Sequence, residues 1–192
     1  MEIAAIILAA VVVAAIAAIL LVPRVVEYAE EISINAPVAE VYENIRLQDR
    51  LMRWSAWPTE TKSECAVEGQ DGMVGARTVF LRPGGREQFG YQEVTSLEAN
   101  RRVELRLTSQ GPPQAPVLAF ELEPLPQGAT RVILRFRNVI PRPFNVMLRL
   151  IGIVRWTRSM HRKDLDGLKR FSEPPHLTYA GQPAREIAPA AA

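Results

Sequence analysis

From Ile3 to Val22 the chain runs twenty residues without a charged or polar side chain; beyond them, apolar positions recur first at strand and then at helix spacing. The soluble part is read as beginning at about Tyr28, where Ile32 and Ile34 alternate with polar neighbours and predict a first strand. Asn35-Ala36-Pro37 stops that strand and sets proline at the first turn of a helix, where its missing N–H costs nothing. Val38, Val41, Tyr42 and Ile45 then form an apolar helical stripe. Asp49 is read as the cap of a second short helix, Arg50 to Trp54, ending before Trp57-Pro58. Six segments at hairpin spacing follow: Thr61 to Glu68, Met73 to Arg82, Arg86 to Leu97, and the alternating sets Val103/Leu105/Leu107, Leu118/Phe120/Leu122 and Val132/Leu134/Phe136. Turn signals such as Gly69-Gln70-Asp71-Gly72, Pro83-Gly84-Gly85 and Pro126-Gln127-Gly128 separate them, and Gln110 to Pro116 reads as a proline-rich loop.

After the Pro141-Arg142-Pro143 breaker, one long helix is predicted from Phe144 to Phe171. Its inner stripe is Met147, Leu150, Ile151, Val154, Leu165 and Leu168, with Arg158 and His161 on the same face. Its outer face sets Ile153, Trp156 and Met160 among Arg149, Arg155, Arg162, Lys163 and Arg170, a pattern suited to an anionic bilayer surface, a neighbouring subunit or the short helices. The sum is an α+β chain with seven strands, two short helices after the first, a long closing helix and a separate N-terminal helix.

Length and charge refine this picture. Ile3–Val22 is long enough for the ~30 Å hydrocarbon core of a bilayer. With Met1-Glu2 in place of a positive n-region, it reads as an uncleaved single-pass transmembrane anchor (residues 1–26), not a signal peptide. Arg24 against Glu2 favours a cytoplasmic domain. Residues 27–172 form the folded domain, and the Ala/Pro-rich 173–192 reads as a disordered tail that holds His176. Net charge is only +2, but the body up to Asn100 is acidic and the last helix basic. No nucleic-acid motif accompanies that basic block, so no nucleic acid is expected as partner. The single Cys65 excludes an intramolecular disulfide and any multi-cysteine zinc cluster. No metal triad, nucleophile elbow, phosphate loop or dinucleotide fingerprint is present, and no cofactor is expected.

Several pieces carry a resemblance: Ile32-Ser33-Ile34-Asn35-Ala36-Pro37-Val38, the Gly72-x-x-Gly75 turn, Val94 to Val103 with its Asn-Arg-Arg break, and Leu165-x-x-Leu168-Lys169. With them, the chain from Tyr28 to Ser172 resembles the START-like (SRPBCC) superfamily of polyketide cyclases, dehydratases and lipid-transport domains. The resemblance implies a helix-grip fold, in which an antiparallel sheet wraps around the last helix and leaves an apolar cavity. Its walls would be Val103, Leu105, Leu107, Leu118, Phe120, Leu122, Val132, Leu134 and Phe136 from the sheet. Val154, Arg158, His161 and Leu165 would face them from the helix, with Trp54 and Trp57 toward one end. Such a scaffold specifies no one chemistry.

Three functions stay open. The first is a membrane-anchored carrier or sensor for a small hydrophobic or amphipathic ligand such as a lipid, with Arg158 and His161 suited to an anionic head group. The second is a cyclase or dehydratase using His161 as acid or base, a role that a buried carboxylate nearby would favour. The third is a tethered protein-interaction module without ligand.

Overall fold

The computed structural model describes residues 2–109 and 115–173; most of the proline-rich loop and of the Ala/Pro-rich tail, with His176, lies outside the described residues. The order is α1 (Glu2–Leu21), β1 (Val25–Ile34), α2 (Val38–Arg46), α3 (Gln48–Trp54), α4 (Trp57–Thr61), β2 (Glu64–Glu68), β3 (Arg77–Leu81), β4 (Gln88–Glu98), β5 (Arg102–Ser109), β6 (Val117–Pro124), β7 (Thr130–Val139), α5 (Phe144–Leu150) and α6 (Ile153–Ser172). The seven strands make one open antiparallel sheet in the order β1-β7-β6-β5-β4-β3-β2.

The period-two pattern sets the sheet's inner face. Val103, Leu105, Leu118, Phe120, Leu122, Val132, Leu134 and Phe136 are all buried there. On the wet face, Arg135 reaches Glu121 at 2.8 Å and Arg131 reaches Glu123 at 3.2 Å, exposed cross-strand pairs that contribute ~0.2–1 kcal/mol each. The helices α2, α3 and α6 cover the inner face. Leu165 and Leu168 of α6 join Val41, Tyr42 and Ile45 of α2 in one core. The fit between α6 and α3 is tight at Gly167, where an added Cβ would collide with the Trp54 carbonyl.

Two elements depart from the sequence pattern. A third short helix, α4, follows α3, with Pro58 accommodated in its first turn. The cap of α3 is also not Asp49. The Asp71 carboxylate, from the loop after β2, accepts the Gln48 N–H at 2.6 Å and the Asp49 N–H at 3.3 Å, a long-range cap of orphan helix donors.

The larger correction concerns the last helix. It is two helices, broken at Gly152, whose φ of 80° lies in the left-handed region that glycine adopts without the Cβ penalty. The break resets the helical phase. Met147, Leu150 and Ile151, expected on the inner stripe, are exposed, and Leu150 is 81% accessible. Met160, expected on the outer face, is fully buried.

The N-terminal helix α1 is long and apolar enough to cross a membrane and has no buried residue. Its C-terminal turn meets α5. The last carbonyls of a helix lack intrahelical donors; here Arg142 donates to Ile19 O and Leu20 O at 2.9 and 2.7 Å, and Asn145 Nδ2 to Val22 O at 2.9 Å. Arg149 bonds Pro23 O and Val25 O. Only Val22, Pro23 and Arg24 separate α1 from β1, whose pairing with β7 begins at Val25–Val139.

Candidate functional site

The sheet is filled unevenly. Its β1 edge packs against α6 and α2 packs across β5 and β6, whereas between strands β3 to β6 and the helices α3, α4 and α6 a cavity of about 350 Å³ remains. Part of the reason is local. At an inward position of β4 stands Gly90, which contributes no side chain, next to the buried Gln92. Leu105, Leu107, Leu118 and Phe120 form the sheet wall, with Phe80 of β3 beside them. Leu51 and Trp54 of α3 and Trp57 of α4 roof one end, and α6 contributes Trp156, His161 and Asp164.

The sequence-derived wall residues therefore separate into three groups. Trp54, Trp57, Leu105, Leu107, Leu118, Phe120 and His161 line the cavity. Val103, Leu122, Val132, Leu134, Phe136 and Leu165 are buried away from it in the packed core, and Val154 is half-buried against that core. Arg158 lies outside. Its guanidinium pairs with Glu30 and stands 5.3 Å from the Tyr28 ring centroid. Arg162 joins the same Glu30 at 2.9 Å. Burial by itself would raise the Glu30 carboxyl, but the hydrogen bonds from Arg162 and Arg158 outweigh it and hold it below the usual range. The expected cation for an anionic head group is thus spent on a partner at the surface. Among the described lining residues there is no lysine or arginine.

His161 is 1% exposed, set among Phe136, Tyr28 and Trp57 with ring centroids 5.0, 5.8 and 6.0 Å away. Its Nδ1 shares a 2.9 Å hydrogen bond with the Tyr28 hydroxyl. Burial pushes the imidazole down to about 4, opposed weakly by Glu30, and burial also raises the Tyr28 hydroxyl. Both groups are neutral at pH 7. Among the described residues Nε2 has no hydrogen-bond partner, so a neutral imidazole has one ring nitrogen committed to Tyr28 and one uncommitted.

The sequence pattern passed over Asp164, one turn after His161. Its Oδ1 accepts the Ala56 N–H at 2.8 Å and the Ser55 hydroxyl at 3.1 Å, and its Oδ2 accepts Trp57 Nε1 at 2.9 Å. It thereby staples the α3–α4 junction to α6 and fixes Trp57 at the cavity edge. Burial outweighs these three donors and pushes the carboxyl up to about 6. Standing in the charged stretch Arg162-Lys163-Asp164, the residue carries no mark in the apolar pattern that sets it apart from its solvated neighbours. Trp156, assigned to the outer face, takes both roles: 42% exposed, it lines the cavity and meets Trp57 edge-on at 5.2 Å.

Residues 25–173 match the family model described as polyketide cyclase / dehydrase and lipid transport. The fold is similar to that of a Nitrosospira multiformis protein (TM-score 0.57, 18% identity, 79% of this chain and 99% of that one). It is likewise similar to a protein of unknown function from Staphylococcus aureus (TM-score 0.58, 16% identity, 77% and 93%). A hypothetical protein from Helicobacter pylori is a third such structure (TM-score 0.58, 15% identity, 77% and 88%). At these identities the likeness is one of fold. No curated protein matches the sequence.

Proposed function

Because this chain belongs to the polyketide cyclase/dehydrase and lipid transport family, we propose that its cavity holds a small, uncharged apolar or amphipathic molecule, with the domain acting as a membrane-held carrier or sensor. The observation that carries this reading is the lining: a partly open apolar space walled largely by leucine, phenylalanine and tryptophan, without a cation among the described lining residues to neutralise a carboxylate or phosphate. About 350 Å³ lies at the small end of ligand pockets. It suits a single acyl chain or a compact ring system better than an intact diacyl lipid. The uncommitted His161 Nε2 is a candidate to bond and orient a hydroxyl or carbonyl head, as are the Thr108 and Gln92 side chains that line the same space. In this reading α1 is an uncleaved anchor and the domain is cytoplasmic, the side that Arg24 on its C-terminal flank favours.

The test uses the full-length protein in detergent. Native mass spectrometry should detect a copurifying small molecule. At about pH 8, where a fatty carboxylate is ionised, dodecanol should change tryptophan fluorescence at lower concentration than dodecanoate. A clean mass with no response to either probe would refute the ligand reading in favour of a protein-interaction module. Preference for dodecanoate would refute the uncharged head.

Asp164 favours a second reading, acid–base chemistry of the cyclase or dehydratase kind. It is a buried carboxyl raised to about 6 on the wall that also carries His161, the combination in which general acids are found. Both of its oxygens are already engaged by protein donors, which weighs toward the binding role.

A further inference from the structure

We propose that the corner between α5 and α6 is a membrane seat, which rests the cavity's Trp57–Trp156 edge on an anionic bilayer. This rests on the reading of α1 as an anchor, and the structure adds the geometry. Arg142 and Asn145 hold the carbonyls of Ile19, Leu20 and Val22, so α5 sits at the level where α1 would leave the hydrocarbon. At that level the corner exposes Met147, Leu150, Ile151, Ile153 and Trp156, with Leu150 81% and Ile151 63% accessible. An apolar face this exposed, continuous with the end of a spanning helix, matches an amphipathic segment lying in the headgroup region. Arg155, next to Trp156 in the chain, and Arg24, on the link from α1 to β1, are both exposed and add attraction to anionic lipid. Trp156 belongs to both surfaces: its ring lines the cavity and meets Trp57, while it stays 42% exposed in the first turn of α6, just after Ile151 and Ile153. A ligand entering past this pair comes from the leaflet.

The seat is tested with the full chain in vesicles of phosphatidylcholine and phosphatidylglycerol, part of the phosphatidylcholine carrying dibrominated acyl chains that quench nearby tryptophan. Brominated lipid should quench a component of the fluorescence that disappears in Trp156→Phe. Leu150→Asp with Ile151→Asp, both at exposed positions, should remove most of that quenching while the protein remains in the membrane after alkaline carbonate extraction. Release of the wild type by carbonate would overturn the anchor reading itself. Carbonate-resistant protein whose Trp156 is not quenched would overturn the seat alone and assign the patch to a protein partner.

Discussion

Two buried titratable groups on α6 should oppose each other in the pH dependence of stability, and single substitutions should expose each one. Asp164 is pushed by burial from 3.8 to about 6 in the folded chain. A raised carboxyl means that the native state holds its proton longer than the unfolded state. Its contribution is therefore fully present below about 3.8 and is lost as pH rises through about 6. His161 is pushed down from 6.5 to about 4, again by burial. Here the unfolded state binds the extra proton, so the contribution is present above about 6.5 and is lost as pH falls through about 4. Each displacement, roughly two pH units or slightly more, corresponds to about 3 kcal/mol. The two terms have opposite signs over nearly the same window. The wild type should therefore be close to flat between about pH 4.5 and 7, where Glu30 and Glu173, both held low by their cationic partners, stay ionised. Asp164→Asn removes the falling term, leaving stability that rises by about 3 kcal/mol with pH. It also turns an amide N–H toward Trp57 Nε1, a pH-independent cost of about 1–3 kcal/mol. His161→Gln removes the rising term, leaving stability that falls by a similar amount. Urea unfolding of the full chain in detergent, followed by near-UV circular dichroism at a series of pH values, reads both slopes. Variant slopes of the same sign, or variants as flat as the wild type, would refute the assignment of burial as the dominant force on these groups.

Three further substitutions test the packing. Gly167→Ala should cost about 3 kcal/mol or more in urea unfolding, because the new Cβ meets backbone at Trp54 and α6 must move away. A near-neutral effect would show that the α3–α6 contact is loose. Leu105→Ala, at a fully buried wall position, should cost about 2–4 kcal/mol and enlarge the cavity; it should tighten binding of a branched alcohol relative to dodecanol in the tryptophan fluorescence assay, and unchanged selectivity would remove Leu105 from the ligand wall. Asp71→Ala, which deprives α3 of its cap on Gln48 and Asp49, should lower stability by about 1–2 kcal/mol, measurable as a shift of the urea midpoint, whereas Asp49→Ala should do so much less.

The parts of the fold that were legible are those set by short-range periodicity. Leu118, Phe120 and Leu122 alternate with Glu121 and Glu123, and Arg131 falls opposite Glu123 while Arg135 stands diagonal to Glu121, so sheet and facing could be read from the alternation. The last helix was misjudged because a helical wheel assumes one phase along its length. Gly152 carries no apolar or polar weight on a wheel, yet its left-handed φ rotates everything before it relative to everything after. That single residue turned Met147, Leu150 and Ile151 outward; Met160 lies beyond the break, and its burial places it on the same side of α6 as Asp164 and Leu168, one and two turns further on. The cavity was legible in half. Inward facing follows from alternation, but whether an inward residue touches empty space or another side chain depends on how far α3 and α6 stand from each strand. Val132 and Leu134 lie wholly in the packed core, whereas Leu105 and Leu107 also line the cavity. Long-range polar partners, such as Asp71 for α3, Glu30 for Arg158 and Asp164 for Trp57, leave no periodic trace.

The passage from α1 into the sheet sets the reach of the domain. Pro23 and Arg24 alone stand between Val22 and the first residue of β1, and two residues span at most ~7 Å even when fully extended. The arginine and asparagine bonds onto the helix end remove what slack remains. With α1 in a bilayer, such a domain would neither swing far from the membrane surface nor cross to a facing membrane. Held in that way, it would patrol one leaflet by lateral diffusion, with its pocket filling from the lipid directly beneath it. A ferry between two membranes needs a long, loose tether. This geometry instead suits a gauge that reports the local concentration of one membrane-dissolved molecule, or a holder that passes it to a neighbour in the same plane.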